Sequence, residues 1–261
     1  MTHSPATLLD VRSIGKNFAG LTALKDVSFA VKAGEIKGVI GPNGAGKTTL
    51  FNIITSVLRP TSGQVYFENT CLTDLAPHRV AALGIGRTFQ NVRLFGEQSA
   101  LENVGVGNYL RTSSGLVGGM LGLPASRKEQ RRTRETAMEC LRFVGLHDLA
   151  AREAGTLPFG QQRLLEMARA LAMEPRLILL DEPAAGLNDS ETDALANLIL
   201  QLPARGITVL LVEHNMDLMM RVSDSIVVLN FGAKLAEGIP QEISANENVI
   251  AAYLGEEEDA A

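Results

Sequence analysis

The stretch Gly41-Pro42-Asn43-Gly44-Ala45-Gly46-Lys47-Thr48-Thr49 constrains this chain more than any other. It fits G-x-x-x-x-G-K-[ST] between a strand-like Glu35-Ile36-Lys37-Gly38-Val39-Ile40 and a helix-like run over residues 48–54. Glycines at 41, 44 and 46 permit backbone angles that other residues resist, so successive N–H groups can point inward at phosphate oxygens. The positive end of the following helix adds to that field. Lys47 is then placed to reach the β and γ phosphates of a nucleotide, and the Thr48 hydroxyl to ligate Mg²⁺. An ordinary glycine-rich turn is the alternative, but it has no need of the Lys-Thr pair in this context.

Ahead of the loop, residues 8–14 and 23–31 alternate in the manner of two antiparallel strands. Phe18 lies between them in Lys16-Asn17-Phe18-Ala19-Gly20 and reads equally as an edge-of-core ring or as a platform for an adenine base. After the loop, residues 64–67 predict a strand, 77–83 a short helix, and 85–89 a strand running into Gln90. The composition then changes. Residues 100–110 are helix-like, 112–124 rich in Gly and Ser, and 127–145 a long amphipathic helix with Ala137, Cys140, Leu141 and Val144 at helical spacing. Its arginine-rich start, Arg127 to Arg134, reads as a solvated face, with a surface for an acidic partner as the sharper alternative. Residues 92–157 are accordingly read as a helical subdomain inserted between the two parts, 1–91 and 158–240, of a nucleotide-binding core within one domain. A short C-terminal helix and an acidic tail without fixed structure are expected over 241–261.

The strand Leu177-Ile178-Leu179-Leu180 runs into Asp181-Glu182, the pattern of a buried parallel strand whose C-terminal end faces a ligand. There Asp181 can hold Mg²⁺ through its waters and Glu182 can polarise an attacking water. A second buried strand, 207–212, ends in Glu213-His214, and a histidine at that end can donate to a γ-phosphate oxygen. His3, His78 and His147 lie on surface-like stretches and are assigned no role.

Charge and cysteine content exclude several classes. A net charge of −5 argues against a nucleic-acid surface. Cys71 and Cys140 lack CxxC spacing, so neither a zinc site nor a disulfide framework is expected and a reducing cytosol is the plain reading. The polar opening Met1-Thr2-His3-Ser4-Pro5 carries no apolar run, so a secretory leader is not expected there, and the longest uncharged stretch falls short of the ~20 apolar residues of a membrane span. A membrane role is expected only through partners.

Taken in order, the phosphate loop, Gln90, the Gly160-Gln161 pair opening a helix 20 residues before Asp181-Glu182, and His214 make the sequence resemble the ATP-binding cassette ATPases. Arg87-Thr88-Phe89-Gln90-Asn91-Val92-Arg93-Leu94-Phe95, the Gly-Gln-Gln helix start, Glu182-Pro183-Ala184-Ala185-Gly186-Leu187-Asn188 and Tyr253-Leu254-Gly255 narrow this to the ATPase subunits of branched-chain amino acid importers. The resemblance implies an α/β fold: a P-loop ATPase core, RecA-like with a mainly parallel sheet, an antiparallel β subdomain and a helical subdomain. It implies ATP and Mg²⁺ as cofactors, transmembrane permease subunits and a second ATPase subunit, identical or related, as partners, and a substrate-binding protein acting indirectly. The place it implies is the cytoplasmic face of the plasma membrane.

By the same resemblance Phe18 stacks on adenine, Gln90 senses Mg²⁺ and the attacking water, and Leu157, Gly160 and Gln161 close on the ATP of the opposite subunit. The chain departs from the usual signature at Pro158 and Phe159, where serine and glycine are common, and the missing hydroxyl removes a charge-assisted hydrogen bond of about 1 to 3 kcal/mol. Asn188 and Asn215 stand where aspartate is common and remain polar. Urea or amide import and lipid export would use the same core motifs. A guanine switch would need an Asn-Lys-x-Asp loop, which does not occur, and soluble cassette ATPases acting on DNA or ribosomes usually pair two cassettes in one chain.

Overall fold

The computed structural model describes residues 6–90, 93–108 and 124–259. The Gly/Ser-rich segment over 112–123, His3 and Asn91-Val92 lie outside them. Strands β1 (Thr7–Phe18) and β2 (Leu21–Lys32) pair antiparallel, and β1 pairs on its other edge with β4 (Ser62–Phe67), which is followed by the short β5 (Thr70–Cys71). The sheet order is β2-β1-β4-β5, and the short helix α2 (Pro77–Ala82) follows it in the chain. Its inner face buries Leu9, Val11, Ile14, Val27, Phe29 and Val65 against Leu50, Phe51 and Ile54 of α1 (Lys47–Ile54).

The second sheet holds β3 (Ile36–Ile40), β6 (Ile85–Arg87), β7 (Leu177–Asp181), β8 (Thr208–Val212), β9 (Ser225–Asn230) and β10 (Ala233–Gly238), in the order β10-β9-β3-β8-β7-β6. All neighbours are parallel except β10, which runs antiparallel to β9. Strands β3, β7 and β8 are buried at every position, because helices cover both faces of such a sheet and the strands read as continuous apolar runs. Register places Asp181 level with Val212, and Val212 level with Val39. The residues just beyond β3, β7 and β8 therefore leave the sheet along one edge, the position where ligands bind in open α/β sheets.

One face of this sheet is covered by α6 (Asp189–Gln201), α7 (Met216–Val222) and the short α8 (Pro240–Ser244), through Leu195, Ile199, Leu218, Met219 and Ile243. A third apolar cluster lies between α3 (Ala100–Gly107), α4 (Pro124–Phe143) and α5 (Phe159–Leu171), built from Ala100, Val104, Ala137, Leu141, Leu165 and Ala168. Ser99 opens α3 with a capping box to Glu102. On α4 an Arg131–Glu135 pair at 2.8 Å is largely exposed, in keeping with a solvated face. No helix among the described residues is long and apolar enough to cross a membrane.

Two expectations are corrected. The strand predicted through Phe89 stops at Arg87: the Thr88 N–H still donates to Leu179, but the Phe89 N–H turns away to the Glu166 carboxylate. The acidic stretch over 255–259 continues the helix α9 (Glu247–Asp259), because Val249 and Tyr253 pack into the core beside α8 and anchor the helix that carries it.

Candidate nucleotide site

The phosphate loop leaves β3 at Gly41, where a Cβ would lie 2.1 Å from the Leu229 carbonyl oxygen, so only glycine passes. Gly44 and Gly46 sit at φ of 78° and 102°, in the left-handed region. Gly46 precedes α1, and no side chain caps that helix start. The first-turn N–H groups of an α-helix have no intrahelical acceptor, so an uncapped start beside a glycine loop fits a phosphate. Lys47 is buried, and its Nζ donates to the carbonyl oxygens of Gly41 at 2.5 Å and Pro42 at 2.9 Å. Its ammonium is thus held inside the curl of the loop. Asn43 and Thr48 are exposed, Thr49 half-buried, and Pro42 and Ala45 buried.

Across the sheet edge, three segments meet on one carboxylate. Glu182 Oε2 accepts a hydrogen bond from Gln90 Nε2 at 2.9 Å, and Glu182 Oε1 lies 2.9 Å from His214 Nε2. Glu182 itself adopts φ 48°, a left-handed conformation that costs a non-glycine residue on the order of 1 kcal/mol or more and is retained only where surroundings impose it. Here its N–H donates to the Val212 carbonyl at 2.9 Å, tying the end of β7 to the end of β8.

Asp181, one residue earlier, is almost fully buried, and its Oδ2 accepts from Arg87 Nη2 at 2.9 Å. Arg87 Nη1 reaches back to Asn52 Oδ1 at 2.7 Å and Thr55 Oγ1 at 3.2 Å on α1. The arginine therefore joins the phosphate-loop helix to the carboxylate strand. No cluster of three or more His, Cys, Asp or Glu suited to a metal occurs among the described residues. A divalent cation here would draw on Asp181, the Thr48 hydroxyl, nucleotide phosphates and water, the oxygen-rich, water-retaining set that Mg²⁺ favours.

Arg87 and Glu213 are the residues that motif reading passed over. Glu213 is buried; its Oε1 accepts from the Ala184 N–H at 2.6 Å, and its Oε2 from the N–H groups of His214 at 3.1 Å and Asn215 at 3.4 Å. Burial pushes its carboxyl above the ordinary range, opposed by those three hydrogen bonds, with the nearby Glu182 charge raising it further. It fixes the backbone after Glu182 and the backbone of His214 together. A buried carboxylate beside a motif histidine was the available signal.

Pro158 precedes α5 and offers that helix start no side-chain cap. Gly160 packs so closely on α6 that a Cβ would lie 2.4 Å from Glu191 Oε1, and Gln161 Oε1 is buried without a hydrogen-bond partner. Leu157 is buried in the helical cluster. Asn188 caps α6 in a capping box with Glu191, and Asn215 caps α7 through the Leu218 N–H at 2.9 Å, so both asparagines serve as helix caps. Phe18 ends β1 with its ring 41% exposed and the Lys16 ammonium 4.9 Å from its centroid. His78 and His147 are exposed.

Residues 24–185 match the family model described as ABC transporter. The chain belongs to the ATP-binding cassette family. Residues 233–259 of this cassette also match the model described as branched-chain amino acid ATP-binding cassette transporter. It is 46% identical over 250 residues, 95% of this chain and 98% of the relative, to the high-affinity branched-chain amino acid transport ATP-binding protein BraF of Pseudomonas aeruginosa. It is 43% identical, with the same coverage, to LivG of Escherichia coli. The fold matches a crystal structure of the ADP conformation of an ATP-binding cassette with TM-score 0.84, at 35% identity over 96% of this chain and 99% of that one. A dimeric cassette in a post-hydrolysis state bound to ADP and Pi matches with TM-score 0.76, at 29% identity over 89% and 98%. The cassette is an α/β P-loop ATPase.

Proposed function

We propose that this cassette hydrolyses ATP to drive import of branched-chain amino acids through separate transmembrane permease subunits at the cytoplasmic face of the plasma membrane. It works as one of two cassettes, the partner being a second copy or a related subunit, and a substrate-binding protein delivers the cargo from outside. The observation that carries the chemistry is the meeting of Gln90 and His214 on the two oxygens of Glu182. The cargo class is supported by the names of the relatives and by the match over residues 233–259.

In this reading the N–H groups of residues 44–49 and the Lys47 ammonium bind the phosphates, and Phe18 stacks on the adenine. Entry of a γ-phosphate gives Lys47 a charged acceptor in place of two neutral carbonyls, a stronger bond of the charge-assisted kind. Thr48, Asp181 and Gln90 would hold Mg²⁺, which when bound neutralises phosphate charge. Glu182 takes the proton from the attacking water, while His214 holds the far oxygen of that carboxylate and can turn to a γ-phosphate oxygen. Leu157, Gly160 and Gln161 present the uncapped start of α5 to ATP on the partner's loop, and the buried, unpaired Gln161 Oε1 would gain a donor there.

The experiment is light scattering on purified Glu182→Gln with ATP and Mg²⁺. The amide keeps the shape of the site but cannot accept the proton, so hydrolysis stops and an ATP-dependent dimer accumulates. A chain that binds ATP and stays monomeric removes the self-dimer and leaves the related-subunit form. A chain that binds no ATP overturns the proposal.

A further inference from the structure

Helix α5 carries three charged side chains that the chemistry above leaves unused: Arg163, Glu166 and Arg169. Glu166 is 2% exposed and Arg163 8%. Burying charge is costly unless it is paired, so the partners of these groups are informative. Within the helix, Arg163 Nη1 lies 4.0 Å from Glu166 Oε2, and Arg169 Nη2 lies 3.7 Å from Glu166 Oε1. All three also reach outward, and all reach the same place. Arg163 Nη1 donates to the Phe89 carbonyl at 3.2 Å, and the Phe89 N–H donates to Glu166 Oε1 at 3.4 Å. Arg169 Nη1 donates to the Arg93 carbonyl.

Phe89 and Arg93 flank Gln90 in the sequence, so both sides of that residue are tied to one helix face. The Gln90 side chain is exposed, and its amide donates to Glu182. An exposed side chain holds one geometry only if its backbone is anchored, because ordering a free loop costs conformational entropy at every residue. The same helix touches the other flank of the site. The Phe159 ring lies under the Arg163 guanidinium at 5.2 Å, and a Cβ at Gly186 would be 2.8 Å from Phe159 Cε1. Arg163 and Glu166 thus hold Phe89 before Gln90 and Arg169 holds Arg93 after it, while Arg163 also reaches, through Phe159, the turn after Glu182.

The geometry points to Arg163, Glu166 and Arg169 as positioning residues, a clamp by which α5 holds the segment around Gln90 and sets the contact between Gln90 and Glu182. The inference rests on the role of Gln90 given above and adds which residues control it. Burial raises the Glu166 carboxyl, opposed by the Phe89 N–H and by the charges of Arg169 and Arg163.

The test is a double-mutant cycle on the full-length chain, measuring kcat and KM for ATP hydrolysis, nucleotide affinity by a fluorescent ATP analogue, and the unfolding midpoint. Glu166→Gln and Arg169→Gln are each made alone and with Gln90→Ala. Each clamp variant is expected to lower kcat about 10-fold with KM and nucleotide affinity within about 2-fold, and to lower it less than about 2-fold further once Gln90 is Ala. Arg169→Lys, which keeps a donor to Arg93, restores most of kcat. Equal losses in both backgrounds, or no loss in either single variant, overturn the clamp while Gln90→Ala still lowers kcat. If Gln90→Ala leaves kcat unchanged, the role of Gln90 fails and the clamp with it. If Glu166→Gln does not fold, the Arg169 pair of variants decides.

Discussion

At the scale of single residues, the site is organised by where carboxylates find their partners. Glu182 has Gln90 and His214, Asp181 has Arg87, and Glu213 has three backbone N–H groups. Replacing Glu182 by Gln is expected to lower hydrolysis by at least about 100-fold while nucleotide affinity holds, because a positioned base contributes 10²–10⁴-fold; single-turnover phosphate release measures it. Arg87→Ala removes the guanidinium from a buried pair and leaves Asp181 uncompensated. Its cost is about 3 to 5 kcal/mol of stability by urea unfolding, a larger effect than loss of a surface ion pair such as Arg131–Glu135, worth under about 1 kcal/mol. Asp181, Glu182 and His214 were legible in the sequence because each follows an apolar run that ends at a sheet edge. Arg87 was not, since its partners are 32 to 94 residues away and no local pattern links a strand arginine to them.

At the scale of elements, the helix starts differ in how they are capped. The start of α1 is uncapped by any side chain, and so is that of α5, whereas α3, α6 and α7 are capped by Ser99, Asn188 and Asn215. The short helices Pro77–Ala82 and Pro240–Ser244 also start without a side-chain cap hydrogen bond, so it is the glycine loop before α1 and the close packing at Gly160, not the missing cap alone, that set α1 and α5 apart. Gly160→Ala tests the packing between α5 and α6: the new methyl pushes Glu191 out of its capping box with Asn188. A loss of about 1 kcal/mol follows, seen as a fall of about 2–4 °C in the unfolding midpoint, with Asn188→Ala giving a loss of similar size. The predicted strand through Phe89 shows how tertiary contacts override periodicity. The strand is expected over 85–89, but the buried Glu166 draws the Phe89 N–H off the ladder.

At the scale of the whole molecule, two buried carboxylates, Glu166 and Glu213, have their pKa raised by burial. A raised carboxyl binds its proton more tightly in the folded chain than in the unfolded one. Its stabilising contribution is therefore complete below the ordinary value of 4.5 and is lost as pH rises through the folded value. Glu213→Gln abolishes that dependence, so the stability gap between wild type and variant is expected to be widest in acid and to narrow towards neutrality, by urea unfolding across pH. Cys140 follows the same physics: burial pushes its thiol up to about 11, so it stays protonated at neutral pH.

The linear chain determined the phosphate loop, the parallel core strands and the two carboxylates, because each is a local pattern of backbone freedom or apolar periodicity that physics reads within a few residues. Tertiary structure decided which groups touch. The register of β6, β7 and β8 puts their ends on one edge, and only that alignment joins Gln90, Glu182 and His214, with 92 residues between the first two and 32 between the last two. Likewise the pairing of Arg87 with Asp181, and the grip of α5 on the segment around Gln90, are packing outcomes. Buried charges take whatever partner the fold brings within reach, and a pattern in sequence carries no record of that distance.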